Sequence, residues 1–421
     1  MVKRGLILFL TAIFLLNSAV IYPGEALSLD SLIKEAKEKN PEILSAKKSW
    51  ESALAKVPQA KSLEDPTIGL KFEKMKGGPL RFDKAMPEDR MLSFSQFFPF
   101  FGKLPLKEKI AVVEAQMIAA QYKDKELEVI NAVKGAYYDL FMNHKEIELN
   151  EQNLKFLESI SKIAEARYIV GKLQQEDLFK INLEIASLSN KVANLRQERS
   201  AKETRINTLL SRDPEGGLGV PELDEGAPFD NDIGRLYKLT LQNQPELLVF
   251  SYAIEKNKYA KSLAQKSYFP DLFGELVMRG ITSGSIGPWD LMLAFTVPIW
   301  FWTKQRYQVK EAIADLEGAE AAYTAMKNRA FSGTKDIATK TEIARGKIEL
   351  YRKSMIPLLE GSINSSVAAF SSGKGELMTL LDSERMLIET RMDYYGVLVE
   401  YNTNLADLER TVGLELTETQ K

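Results

Sequence analysis

The 421-residue sequence has no cysteine and a single histidine, His144. Without cysteine there are no disulfides, no thiolate catalysis, no cysteine-held metals and no cysteine-linked lipid anchor. With only one histidine as well, no metal-ligand cluster can be written. His144 falls on the apolar phase of a helical pattern and is expected as a seam residue. Charge of one sign is also missing. The formal net charge is −2, which gives no reason to expect a nucleic-acid partner. There is no phosphate loop, no nucleophile elbow and no carboxylate pair in a glycine-rich setting, so neither an enzyme nor a cofactor is expected. Met355, Met378, Met386 and Met392 lie on helical patterns, where packing is the ordinary role of methionine. Past residue 26 no run is long and apolar enough for a transmembrane helix.

What is present begins with a leader. Lys3 and Arg4 precede a largely apolar run from Gly5 to Val20, and Gly24-Glu25-Ala26 supplies small residues for cleavage. Residues 1–26 therefore read as a secretory signal peptide. An exported chain of this composition, if it crosses a membrane, does so as strands.

The second feature is a duplication. Tyr168-Ile169-Val170-Gly171-Lys172 sits between two long helical patterns, and Phe370-Ser371-Ser372-Gly373-Lys374 has the same layout 202 positions later. Glycine just past a helix end points to a left-handed cap. The surrounding chain repeats too: Leu32 to Pro41-Glu42-Ile43 is matched by Leu236 to Pro245-Glu246-Leu247, and Pro66 by Pro270, at an offset of 204. The first repeat is read as 27–212 and the second as 233–416, with a linker at 213–232 and a polar tail at 417–421. Each repeat reads helix, helix, strand, strand, long helix, long helix. Strands are expected at about 67–75 and 91–98, and again at about 271–279 and 289–297, from period-two alternation bounded by proline. Long helical hairpins follow at 105–212 and 303–416. The second carries Pro357 where the first has Lys155, so the two long helices are expected to bend differently. The fold class is mainly α with a small β part.

Four strands cannot close a barrel alone, since the smallest transmembrane barrels have about eight. Further copies must complete them, and two, three or four copies all satisfy the arithmetic. The helices, with one apolar seam each, suit the wall of a water-filled tube. An exported coiled-coil scaffold or adaptor without a pore is the alternative.

The order of these features resembles the outer-membrane efflux protein family, whose type member is TolC. The resemblance rests on Pro41-Glu42 and Pro245-Glu246, on the proline-bounded strand pairs, and on Phe97-Phe98-Pro99-Phe100-Phe101-Gly102-Lys103 at a strand exit. It rests also on the two turns with Asp177-Leu178 and Leu380-Leu381-Asp382 behind them. It implies a homotrimer in which a twelve-stranded outer-membrane barrel, in contact with lipid, continues into a long periplasmic α-barrel. It further implies a passive exit duct in a tripartite efflux pump or type I secretion system, with a periplasmic adaptor and an inner-membrane transporter as partners. Val170, Gly171 and Lys172, with Ser372, Gly373 and Lys374, match the adaptor-docking turns. Asp382 matches one of two acidic residues that ring the periplasmic entrance. Thr379 stands where the other would be, and Glu376 is a further contributor. The N-terminal lipidated cysteine of many members is missing.

Overall fold

The computed structural model describes residues 26–72, 90–223, 231–280 and 287–416. The expected leader up to residue 25, the expected strand end at 73–75 with the rest of the connection to residue 89, residues 224–230 of the expected linker, residues 281–286 of the second strand connection and the tail at 417–421 lie outside them. The first repeat runs α1 (Leu29–Lys39), α2 (Pro41–Lys61), β2 (Thr67–Phe72), β3 (Arg90–Phe98), α3 (Lys103–Ile169) and α4 (Gln175–Leu209). The second runs α5 (Ile233–Asn243), α6 (Pro245–Lys266), β5 (Leu272–Arg279), β6 (Trp289–Phe295), α7 (Gln305–Leu350), α8 (Ile356–Ser371) and α9 (Leu377–Val412).

Local chemistry explains the boundaries. Asn40 ends α1 in extended backbone, as a residue before proline must, and its Oδ1 then accepts from the amides of Glu42 and Ile43 to cap α2. Helix α3 starts at Lys103, two residues before the expected Pro105. Proline is tolerated anywhere in a first turn, where amides have no partner, and Gly102 supplies the positive φ of 90° at the N-cap. With 67 residues α3 is roughly 100 Å long. Its counterpart is interrupted: five residues, Tyr351–Met355, form a π turn before Pro357. Proline removes a donor and crowds the preceding carbonyls, and one wide turn absorbs the mismatch.

Helix α3 packs against α4 and α9 toward the Gly171 end and against α2 and α6 toward the sheet. Its middle holds the core: Val133, Ala136, Tyr137 and Leu140 are buried with Leu32, Ile43, Ile206 and Leu210. A second core at the turn end joins Leu157, Ile160, Ile181, Phe370, Leu377 and Leu380. Each large aliphatic so buried contributes about 1.5–3 kcal/mol. The region read as a linker contains a strand the alternation could not show. Val220–Pro221 (β4) pairs in parallel with Ala26–Leu27 (β1). Tyr137 fixes this strap to α3, donating to the carbonyls of Leu27 and Glu222 and accepting from the Glu222 amide.

Candidate functional site

Two regions carry the candidate chemistry, one at each end of the long helices. The first is the sheet, antiparallel in the order β2-β3-β5-β6. Directly paired residues of an antiparallel sheet share a face, so the register defines both faces. One row is Ile68, Phe94, Leu276 and Leu291, and the next is Leu70, Leu92, Met278 and Trp289. Phe98, Leu272 and Phe295 extend the same face toward the helices. The face is apolar except at Arg90 on its far margin and at Gln96 and Gly274, and much of it is exposed, Leu291 by 60%. The opposite face carries Lys71, Ser93, Ser95, Glu275, Arg279 and Asp290 among apolar residues. One side thus suits lipid and the other water. Strands β2 and β6 are the two edges.

Asp271 ties this sheet to the helices. Its Oδ1 accepts from the Phe100 amide at 2.6 Å and from Lys103 Nζ at 2.7 Å, while its own amide donates to Thr296 Oγ1. Around the joint Phe100 stacks on Phe269, and Trp300, Phe301 and Trp302 are exposed. Aromatic side chains of this kind belong at a lipid–water boundary.

At the far end lie the two turns. Gly171 and Gly373 have φ of +71° and +81°. In the first turn the amides of Gly171 and Lys172 donate to the carbonyls of Tyr168 and Arg167; in the second, those of Gly373 and Lys374 donate to Phe370 and Ala369. Both are Schellman caps with glycine at the left-handed position. Val170, Gly171, Lys172, Ser372, Gly373 and Lys374 are all exposed. Glu376, the N-cap residue of α9, Thr379 and Asp382 follow at intervals of three and so line one face of the helix. The Asp382 side chain is 62% exposed, with Arg385 Nη1 3.9 Å away on the next turn.

Sequence reasoning missed the contact that joins the turns. Arg167 donates to the Phe370 carbonyl at 2.9 Å and lies 4.7 Å from the centre of the Phe370 ring. A guanidinium there meets the negative end of α8. No spacing rule links residues two hundred positions apart. Gly375 was missed as well: a Cβ there would stand 2.9 Å from the Phe370 amide nitrogen, so only glycine fits beneath the cap. Phe179 and Leu183, exposed on α4, did carry a signal, being apolar residues out of phase with the seam. His144 lies on α3, where burial first and then Arg199 and Lys145 lower its pKa. Among the described residues no group of three or more histidine, aspartate or glutamate side chains is placed to hold a metal ion. No described helix is long and apolar enough to cross a membrane.

A family-wide sequence pattern described as "Outer membrane efflux protein" matches residues 32–212 and 236–414. The cobalt-zinc-cadmium resistance protein CzcC of Cupriavidus metallidurans is 18% identical over 397 residues, covering 93% of this chain and 92% of that one. In fold, the chain is similar to the outer membrane protein VceC of Vibrio cholerae, with a TM-score of 0.78 at 16% identity over 92% of this chain and 96% of that one. The open-state outer membrane channel MtrE of Neisseria gonorrhoeae gives 0.73 at 17% identity, covering 92% and 89%.

Proposed function

This chain belongs to the outer membrane efflux protein family, and from that premise we propose the assembly through which it works. It is an outer-membrane efflux channel with a long periplasmic helical part, and not an enzyme. Three copies, each giving four strands, close a twelve-stranded barrel, an even number within the known range. The observation that carries this is the sheet with one apolar face and two unpaired edges. In lipid each unpaired backbone group would cost several kcal/mol, so β2 of one copy pairs with β6 of the next. The polar face then lines the pore, and the long helices continue it as a passive duct into the periplasm.

The turns at Gly171 and Gly373 dock on a periplasmic adaptor that links the duct to an inner-membrane transporter. Exposed Ile169, Val170, Phe179 and Leu183 near the first turn support this. The second turn leads to the entrance, where three copies of Asp382, with Glu376 and Thr379 on the same helical face, form a cation-favouring ring.

Single-channel recording in planar bilayers tests the duct. The purified trimer is expected to conduct and to prefer cations, and Asp382→Ala should lower the cation-to-anion permeability ratio by about twofold or more. Folded trimer without conductance would overturn the duct, and unchanged selectivity would remove Asp382 from the ring. Docking is tested separately. A Cβ at Gly171 meets nothing within 4 Å, so the cost of Gly171→Val is that of a β-branched residue in left-handed backbone, upward of about 1–2 kcal/mol, while it presents bulk to a partner. Gly171→Val with Gly373→Val should cut cellular export at least about tenfold while trimer and membrane insertion persist. Normal export would refute docking at these turns.

A further inference from the structure

A cavity of about 200 Å³ lies between α3, α4 and α9, just beyond the turn end. Glu384 lines it, only 7% exposed, and has neither a hydrogen bond nor an ion pair. Asn153, from α3, lines the same cavity with its Oδ1 buried and unpartnered. Asn153 Oδ1, buried without a donor, is costly at about 1–3 kcal/mol, and the Glu384 carboxylate lines the same space without one. The remaining wall is mixed: Leu157, Leu188, Leu381, Ile388 and Met392 form its aliphatic part, beside Asn150, Glu184, Ser187, Lys191, Arg385 and Glu389. Acceptors without donors call for a ligand that brings donors, and the aliphatic part of the wall gives room for an apolar body beside them.

We propose that this cavity binds a small organic cation, a protonated primary amine on a compact apolar group. The ammonium donates to the Glu384 carboxylate and to Asn153 Oδ1, and the apolar group lies against Leu157, Leu188 and Ile388. The size fits a single ring, since a cavity of about 150 Å³ holds benzene. An anion would be repelled by the Glu384 carboxylate at the floor. The charged side chains around the cavity are Glu184 and Lys191 from α4 and Arg385 and Glu389 from α9; those from α3 are neutral. Arg385 is engaged, 3.7 Å from Glu184 and 3.9 Å from Asp382. Arg391, about two turns beyond Glu384 on α9, is paired with Glu360 at 2.7 Å. By helical periodicity Arg385 and Glu389 share the side of α9 that bears Asp382, whereas Glu384 turns into the bundle. The site therefore opens beside the proposed entrance face, and only its bearing on transport rests on the duct reading.

Burial raises the pKa of Glu384, with Arg391 opposing. The ammonium needs the ionised carboxylate, so its binding displaces a proton and weakens as the pH falls.

The test is ligand-observed ¹⁹F NMR with 4-fluorobenzylamine on the purified full-length protein. The wild type should bind the amine, and 4-fluorobenzyl alcohol at least tenfold more weakly. Glu384→Gln should weaken amine binding at least tenfold, and Glu317→Gln, exposed on α7 and outside the cavity lining, should leave it within twofold. Lowering the pH should weaken binding to the wild type, an arm that needs no variant. Equal binding of amine and alcohol, binding retained by Glu384→Gln, or no binding at millimolar amine, leaving the cavity filled by water alone, would each overturn the site. A loss in Asp382→Asn but not in Glu384→Gln would move the amine to the entrance ring. Because binding is measured without current flow, failure of the duct would leave this result standing, and the converse.

Discussion

Leu276→Arg is expected to remove the protein from the outer membrane. Leu276 is at the middle of β5, in the apolar row with Ile68, Phe94 and Leu291. An arginine on a lipid face near the bilayer midplane costs about 2–4 kcal/mol, and in the proposed three-fold assembly every copy would meet that cost. The guanidinium cannot reach across the sheet to the aqueous side. Its neighbour Glu275 points to the opposite face, so Glu275→Arg serves as the control and should insert normally. Membrane fractionation with a heat-modifiable trimer on a gel is the measurement. Wild-type levels of trimer from Leu276→Arg would show that this face does not meet lipid.

Gly413→Ala is expected to be the most destabilising single methyl in the helical part. Gly413 ends α9 at φ +85°, its amide donating to the Glu409 carbonyl at 2.8 Å. Its Cα lies on the joint between α5 and α6. A Cβ there would overlap the Asn243 carbonyl and come within 3.0 Å of the Gln244 amide nitrogen. Left-handed backbone costs an alanine about 1–2 kcal/mol, and overpacking against backbone adds about 1–3 kcal/mol. The first repeat solves the same joint differently. Ser211, at φ 55°, occupies the turn after α4, and Asn40 donates to the Leu209 carbonyl at 2.9 Å while capping α2. Gln244, in place of Asn40, makes no cap, and its buried Oε1 is unpartnered; close backbone packing at Gly413 holds the joint instead. Gly346→Ala is the control, since a Cβ there meets nothing on α7 and a helix-interior alanine gains about 0.5–1 kcal/mol. Urea unfolding should place Gly413→Ala well below the wild type and Gly346→Ala at or above it. Equal midpoints for the two variants would refute the packing argument.

Much of the architecture was legible in the residues because each signal is local. Period two shows in Trp289, Leu291 and Leu293, and it emerged as β6. Glycine after a heptad seam shows at Gly171 and Gly373, and both took positive φ. Pro357 announced the break that became a π turn. The short strap of Val220–Pro221 on Ala26–Leu27 stayed hidden, because two residues carry no period.

What the sequence by itself determined is the class of object. Duplication, proline-bounded strands and long single-seam helices define a strand-and-tube protein, because backbone satisfaction and hydrophobic period follow from residue order alone. What only the tertiary structure decided is which residues meet. The order β2-β3-β5-β6 sets the strand pair of one repeat beside that of the other, joined through β3 and β5, and so gathers one apolar face from both. Arg167 reaches Phe370, and Glu384 and Asn153 share a cavity. These contacts depend on how α3 packs against α9, a relation between surfaces far apart in the chain, and no local pattern encodes it.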